Sequence, residues 1–494
     1  MKLTELTDLV GPALDPEIVG LSADSRTIRP GFLFAALRGF RQDGRTFAAD
    51  AVERGAVAIL TDDAEALALT PASRERVVIL VDPNPYRRLA CLAARFHGRQ
   101  PPTIAAVTGT NGKTSVVHFT REIWTTLGFA AASLGTLGLV TADGRRSGSL
   151  TTPDPIALHD DLATLAGRRI DRVAIEASSH GLDQCRLDGL TVASAAFTNL
   201  TRDHLDYHGD MMRYRAAKDR LFVALLAPGG TAVLNADSGE FARLATLCRA
   251  TGHPVLTYGS DPAADLCLLG CKPQGSGQRL LLNLFGQRRE LVLPLAGAFQ
   301  AMNALAALGL VVATGTSAAA AAEALIHLTS VPGRLEFVAA LEEGGAIVVD
   351  YAHTPDALAT VLTTLRPHAQ GRLIALFGCG GDRDAGKRPL MGQVAARLAD
   401  RVYVTDDNPR NEPPAQIRRE ILAAAPNAIE MGDRREAIVA AIADLDPGDL
   451  LVIAGKGHET GQVVGSEIYP FDDAVVAREV ARSRSRSCVR RIEW

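Results

Sequence analysis

The stretch that most constrains this chain is Val107-Thr-Gly-Thr-Asn-Gly-Lys-Thr-Ser115. Before it, Thr103-Ile-Ala-Ala-Val107 is an apolar run that predicts a buried strand. After it, Val116, Phe119, Ile123 and Leu127 recur at helical spacing up to a stop at Gly128. A strand, a glycine-rich turn and a helix N-terminus make an anion site, because backbone N–H groups and the helix dipole face the same point. Gly109 and Gly112 let the turn curl, with Thr110 and Asn111 between them. Lys113 can then reach the β/γ-phosphates of a nucleotide, while the Thr114 hydroxyl can ligate Mg²⁺, and Ser115 is counted with the loop as nucleotide-binding. The general pattern G-x-x-x-x-G-K-[ST] would place glycine where this chain has Val107, so a generic motif search passes over it. The bland alternative is a plain turn; the reading adopted is an ATP loop.

Length allows two to four domains: 494 residues, 47% apolar and 22% charged, are enough for substantial cores. A net charge of −4 argues against nucleic acid as a partner. The N-terminal Met1-Lys-Leu-Thr-Glu-Leu-Thr-Asp8 lacks the apolar core of a signal peptide. The Ala-rich region from Ala304 to Leu325 is broken by Gly309, Gly315, Thr316, Ser317 and Glu323. It predicts two helices of a soluble domain and no membrane span. Seven scattered cysteines fit a reducing cytoplasm, and Cys267 and Cys271 read as structural. The expectation is a cytoplasmic monomer.

Three units are expected. Residues 1–97 read as a small mixed α/β domain, with a polar turn at Asp24-Ser-Arg26, strands at Phe32–Ala36 and Ala56–Leu60, and a helix at Phe47–Arg54. Gln100-Pro-Pro102 is a linker, since consecutive prolines cannot continue a helix. Residues 98–332 alternate strands and helices, which predicts a mostly parallel sheet covered by helices. Here the strand Val173–Ala177 carries Glu176 at its end, placed to hold Mg²⁺ beside the nucleotide, although an exposed strand end reads as well from the residue alone. His204 and His208, with Asp203 and Asp206, could suggest zinc, but a third strong ligand is missing; one imidazole supplementing an oxygen-rich Mg²⁺ site fits better.

Residues 333–494 read as a second open α/β sheet, Rossmann-like, with strands at Ala346–Val349, Arg372–Phe377, Arg401–Val404 and Leu450–Ala454. Polar loops follow each of them: Asp350-Tyr-Ala-His353, Gly378-Cys-Gly-Gly-Asp-Arg-Asp384, Thr405-Asp-Asp-Asn-Pro-Arg410 and Gly455-Lys-Gly-His-Glu459. Gly378 and Gly380 invite a dinucleotide reading, but Arg383 stands at the sixth position and NAD is rejected. Four such loops on one edge signal a ligand site. The Arg/Ser tail, Arg482 to Ser487, reads as a solvated, flexible end.

Together these loops resemble those of the Mur ligases, ATP-dependent enzymes that build the peptidoglycan stem peptide, and most closely the members that add its third residue. The resemblance covers nearly the whole chain. It rests on Thr108–Ser115, Glu176-Ala-Ser-Ser-His-Gly181, Asn199-Leu-Thr-Arg-Asp-His-Leu-Asp-Tyr-His208, Asp350–His353 and the three later loops. It implies three domains, for the UDP-sugar, for ATP in a phosphate-loop ATPase-like parallel sheet, and for the incoming amino acid. By the same resemblance Ser25 contacts the uridine end, and Thr151, Thr152, Ser178, Gln184 and Arg186 hold the sugar-peptide. Thr114, Glu176, His204 and Lys218 support Mg²⁺, and Lys218 matches the family lysine that CO₂ carbamylates, which turns a cation into an oxygen ligand. Without the resemblance, Lys218 reads as a surface lysine. Asn303, Arg334, Asp350 and His353 lie around the nucleotide; the family often has asparagine where this chain has Gln300.

The resemblance also implies the third substrate. The matching positions make Arg383, Asp407, Asn408, Pro409, Arg410, Gly455 and Glu459 the amino-acid contacts. Asp407-Asn-Pro-Arg410 is the form of the members that add meso-diaminopimelate, while lysine-adding members generally lack the arginine. The physics agrees: diaminopimelate differs from lysine by a distal carboxylate, which a guanidinium pairs through two parallel hydrogen bonds. The expected reaction activates the D-glutamyl carboxylate of UDP-N-acetylmuramoyl-L-alanyl-D-glutamate as an acyl phosphate, with Lys113 and Mg²⁺ stabilising the transferred group. No general base is evident. The rivals are a lysine- or folate-directed relative, a phosphate-loop kinase or hydrolase, and a non-catalytic nucleotide-binding regulator.

Overall fold

The computed structural model describes residues 1–8, 15–39, 42–148, 150–275, 277–341 and 344–489, without the side chains of Asp206 and 485–489. The chain divides into two compact units. One comprises Met1–Cys267 with Leu305–Ala322, the other Leu268–Ala304 with Glu323–Trp494.

The first unit begins with a four-stranded parallel sheet in the order Gly20–Ser22, Phe32–Ala35, Ala58–Thr61, Val78–Val81. The turn expected at Asp24 is a 3₁₀ turn, Ser25–Thr27, capped by the Asp24 side chain on the Arg26 N–H. Helix Pro85–His97 begins at the Asn84 cap and stops at Gly98, whose φ of 68° suits a residue without a Cβ.

The second sheet of this unit is built around Thr103–Thr108. That strand lies between Val192–Phe197 and Arg172–Glu176, parallel to both, and Leu226–Asn235 and Val255–Gly259 extend the sheet on one side. On the other side Ala131–Gly135 pairs in parallel with Arg172–Glu176, then leads into antiparallel Gly138–Thr141 and Gly144–Arg146. Ile104, Ala106, Val173, Ile175 and Phe197 join one buried cluster, which explains why the central strands read as unbroken apolar runs. The helix after the glycine turn runs Lys113–Thr126, burying Val116, Phe119 and Ile123 on the face read from the sequence. The Ala-rich region forms two helices, Ala298–Ala313 and Ala318–Ala324.

The second unit holds a sheet in the order Glu336–Ala340, Ala346–Asp350, Leu450–Ala454, Leu373–Phe377, Arg401–Val404, Ile429–Glu430. All pairs are parallel except the first. Both faces are covered: Leu373, Ala375 and Phe377 enter one core, Ile374 and Leu376 the other. Four strands therefore end at one edge of the sheet, and the polar loops that follow them open there.

Two expectations need correction. The region before Pro332 is not uniformly alternating, since Gly277–Leu284 and Gln287–Leu293 form an antiparallel hairpin. The Arg/Ser tail is helical: Asp473–Val489 is one helix, and Arg484 donates to the carbonyls of Ile442 and Leu445. Arg484, read as solvated, caps carbonyls at a helix end, a use that composition does not reveal. Among the described residues, no helix is long and apolar enough to cross a membrane.

Candidate active site

In the first unit most of the predicted residues join hydrogen-bonded networks around the glycine turn and Glu176. The glycine turn has φ +143° at Gly109 and +87° at Gly112. A Cβ at Gly109 would stand 1.9 Å from Thr198 Oγ1, so the loop lies directly on the neighbouring strand's end. Asn199 organises it: its carbonyl accepts from the Thr110 N–H at 2.8 Å and its Oδ1 from the Asn111 N–H at 2.9 Å. Lys113 Nζ folds back over the turn, donating to the carbonyls of Gly109 at 2.9 Å and Thr110 at 2.8 Å.

Glu176 is only 1% exposed. Its carboxylate accepts from Thr114 Oγ1 at 3.1 Å, from the Thr136 N–H at 2.7 Å and from Thr136 Oγ1 at 3.2 Å. Strand Thr103–Thr108 delivers Thr114 through the turn and the adjacent strand delivers Glu176, whose backbone pairs with Val107. A hydroxyl and a carboxylate converging on a phosphate loop suit an oxygen-seeking divalent cation such as Mg²⁺. Thr136 Oγ1 continues the network to Thr151 Oγ1 at 3.2 Å. Thr152 Oγ1 bonds the Glu176 carbonyl at 2.7 Å and Ser178 Oγ at 2.9 Å. Arg186 donates to the Thr152 carbonyl at 2.8 Å and grips Gln184 Oε1 with Nε and Nη2.

Gln184 and Arg186 also line a cavity of about 690 Å³, together with Ser22, Asp24, Tyr86 and Leu150. Ser25 is placed differently from its neighbours: it is buried, and its hydroxyl bonds Asp50.

Lys218, on helix Met211–Arg220, is 1% exposed. Its Nζ donates to the Gly109 carbonyl at 2.7 Å and lies 4.4 Å from the Tyr214 ring centroid. Burial, then the nearby Lys113 charge, pushes its pKa down to about 6. It is no surface lysine. His204 sits at the start of a short helix with φ 51°, about half exposed, its ring 4.8 Å from that of His180. The side chain of Asp206 lies outside the described residues.

The second unit gathers its own set at the sheet edge. Asp350 is buried, its carboxylate held by the N–H groups of Leu335 and Ala352 at 2.7 Å each, and burial raises its pKa. Arg334 lies 4.6 Å over the Tyr351 ring, and the His353 ring stands 4.6 Å from the same tyrosine. Asn303 is not among the groups seen at that edge: it is buried on helix Ala298–Ala313 and bonds Gln300 at 3.0 Å. Asn408 Nδ2 donates to Glu459 Oε2 at 2.9 Å. Arg410 Nη1 donates to the Gly381 carbonyl at 2.9 Å, and Gly380 is so close that a Cβ there would meet that nitrogen at 2.7 Å. Gly455, at φ +112°, leaves room for Asp407, whose Oδ2 a Cβ would meet at 2.6 Å. Asp407 is buried, which raises its pKa against the pull of Arg434 and Lys456. Arg383 is exposed beside these residues.

Three Mur ligase families match in order: "Mur ligase family, catalytic domain" over residues 17–97, "Mur ligase middle domain" over 107–311, and "Mur ligase, glutamate ligase domain" over 333–457. A protein of Brucella melitensis, named UDP-N-acetylmuramoyl-L-alanyl-D-glutamate--2,6-diaminopimelate ligase, is 51% identical over 95% of this chain and 96% of its own. The chain belongs to the Mur ligase family. A protein of the same name from Bradyrhizobium diazoefficiens is 50% identical over 97% of this chain and 99% of its own. A solved structure with that name superposes with a TM-score of 0.75 at 33% identity, covering 98% of this chain and 99% of the other. The MurF ligase of Thermotoga maritima, solved with ADP, shares the fold at 19% identity, with a TM-score of 0.61 over 95% of this chain and 98% of its own. Mur ligases are ATP-dependent amide ligases, so a phosphate loop and a separate amine-binding edge are both expected of this member.

Sequence reasoning missed several residues of these networks. Thr136 holds Glu176 but follows an unremarkable strand, Ala131–Gly135. Tyr207, which accepts from Gln184 at 3.1 Å and donates to Asp183 at 2.8 Å, stood inside a quoted motif without a role. So did Asn199 and Lys456. For those three, a polar side chain inside a dense motif was signal enough to ask what it holds.

Proposed function

We propose that this Mur ligase joins meso-2,6-diaminopimelate to UDP-N-acetylmuramoyl-L-alanyl-D-glutamate in peptidoglycan precursor synthesis, consuming ATP. Residues 1–97 serve the UDP-sugar, 98–332 ATP, and 333–494 the amino acid. The D-glutamyl carboxylate takes the γ-phosphoryl group, giving an acyl phosphate and ADP, and the diaminopimelate amine then displaces phosphate. The enzyme works as a cytoplasmic monomer.

The chain's own residues divide this task. The turn Gly109–Ser115 cradles phosphate oxygens with backbone N–H groups, and Lys113 exchanges its two carbonyl bonds for the transferred phosphoryl group. Thr114, Glu176 and His204 hold Mg²⁺, which when bound neutralises charge on the phosphates. Thr151, Thr152, Ser178, Gln184 and Arg186 orient the sugar-peptide so that its carboxylate lies in line, with Ser25 toward the uridine end. Asn303, Arg334, Asp350 and His353 meet the nucleotide.

Lys218 is carbamylated. An amine with a pKa near 6 is largely neutral at pH 7, so its nitrogen lone pair can attack CO₂. A C–N bond forms, one proton leaves to water, and the resulting carbamate is an anionic oxygen ligand. The buried neutral amine beside Lys113 is thereby replaced by an anion, which the Lys113 ammonium attracts.

The observation that carries the proposal is the cluster of Asn408, Arg410 and Glu459. A guanidinium for a distal carboxylate and a carboxylate for an ammonium suit a zwitterionic amino acid; a kinase or hydrolase has no use for them. Arg383, Asp407, Pro409 and Gly455 complete that site. The test is phosphate release from ATP with the UDP-dipeptide precursor, with and without meso-diaminopimelate or L-lysine. Release that requires diaminopimelate is expected. Equal turnover with lysine would overturn the role of Arg410, and release indifferent to both amino acids would overturn the ligase reading.

A further inference from the structure

Lys456 has the most deeply buried ammonium at the sheet edge and no role in the reaction described so far. It is 0% exposed, yet its Nζ makes three bonds: to Asn408 Oδ1 at 3.2 Å, to Glu459 Oε2 at 3.1 Å and to the Gly461 carbonyl at 2.6 Å. Two of these partners are the polar groups assigned to the amino-acid substrate. The third begins the hairpin Gly461–Val464 and Glu467–Pro470.

The consequences follow from donor and acceptor chemistry. An asparagine amide can point either way. Here Oδ1 accepts from Lys456 and from the Val463 N–H at 2.9 Å, and Nδ2 donates to Glu459. A flipped amide would set an NH₂ group against an ammonium, so Lys456 fixes which edge Asn408 offers. Among the described residues, both hydrogen bonds to the Glu459 carboxylate fall on Oε2. That group is anchored at one oxygen and keeps the other for a second cation. A low-dielectric site makes such a charge-assisted anchor stiff.

We infer that Lys456 is a positioning residue for the amino-acid substrate: it holds Asn408 and Glu459 in the arrangement that receives the substrate's ammonium group. The inference rests on the proposed role of those two residues. A lysine merely filling the core would affect folding and every substrate alike; a positioning lysine acts on one substrate through named partners.

Steady-state kinetics of K456Q, K456M and K456R test this, with thermal melts to establish folding. K456Q, which keeps a donor for Gly461 and loses the charge, should raise KM for meso-diaminopimelate at least 10-fold. KM for ATP and for the UDP-dipeptide should stay within 2- to 3-fold. K456R should recover part of the loss and K456M none. In an N408A/E459A background, adding K456Q should cost less than a further 2-fold, because both anchored groups are already gone. Parallel rises in all three KM values, multiplicative effects in that background, or failure of all three single variants to fold would each overturn the inference. Wild-type enzyme is the control: if it does not turn over diaminopimelate, the functional proposal itself fails. Wild-type turnover with indifferent Lys456 variants removes only the role of Lys456.

Discussion

Gly135 lies against Glu176 so closely that a Cβ on residue 135 would stand 2.2 Å from Glu176 Oε1 and 2.6 Å from its Cγ. The carboxylate occupies the space the glycine leaves and is tied there by the Thr136 N–H at 2.7 Å. Its aim toward Thr114 therefore depends on a missing methyl group one strand away.

The G135A variant follows from this. The added methyl must displace Glu176, because the contact is to the carboxyl group and its stem. Overpacking of this kind costs on the order of 1–3 kcal/mol. Displacing the carboxylate proposed to hold Mg²⁺ is expected to lower metal affinity or activity roughly 10- to 100-fold. Phosphate release measured across a Mg²⁺ titration should show a higher Mg²⁺ requirement, while a melt shows a fold that remains cooperative. An unchanged Mg²⁺ requirement would remove Glu176 from the metal site.

Lys218 makes a pH prediction with a definite sign. Its pKa in the folded chain, about 6, lies below the ordinary lysine value of 10.5. Between these values the unfolded chain holds the proton and the folded chain does not, so stability rises with pH. The slope from this one group is about 1.4 kcal/mol per pH unit. In CO₂-depleted buffer, wild type minus K218M stability should climb from pH 6.5 toward pH 10. Added bicarbonate should flatten the curve and raise activity in wild type and not in K218M. Parallel pH curves for the two proteins would contradict a buried, neutral amine.

Arg410 is held in the left-handed region, φ 49°, by its own N–H on the Val463 carbonyl at 3.1 Å and by the Gly465 N–H on its carbonyl at 2.8 Å. The backbone is thus set by the hairpin, and the guanidinium is the part available to choose a substrate. R410K keeps a charge but loses the planar fork. The ratio of kcat/KM for diaminopimelate over lysine should fall on the order of 100-fold, mainly through KM for diaminopimelate. A ratio that stays the same would place the selection elsewhere.

Arg434 and Asp473 are both 0% exposed and paired at 2.7 Å. Arg434 also donates to the Ala454 carbonyl at 2.9 Å, the residue just before Gly455. R434M leaves a buried carboxylate without its partner and should cost about 3–5 kcal/mol. The double variant R434M/D473L should regain much of that in a denaturant titration, since neither charge then remains. A single variant as stable as wild type would mean that the pair contributes nothing to the unit.

Much of this protein was written locally. The turn at Gly109–Lys113 needs glycines in place, an apolar strand before and a helical repeat after, and all of these are neighbours in sequence. The strands Arg401–Val404 and Leu450–Ala454 were readable to the residue, because strands covered on both faces are near-continuous apolar runs. The order of motifs also carried the family, since each loop keeps its chemistry wherever the chain takes it.

Tertiary structure decided what the isolated residues could not. Lys218 read as a surface lysine until the fold brought its amine to the Gly109 carbonyl, 109 residues away in sequence, and removed water from it. Thr136, Asn199 and Lys456 acquired roles only when strands far apart in sequence ended side by side. Hydrogen-bond partnership and burial are properties of through-space neighbours. The sequence named the chemical groups; parallel sheets, by bringing strand ends to one edge, determined which of them touch.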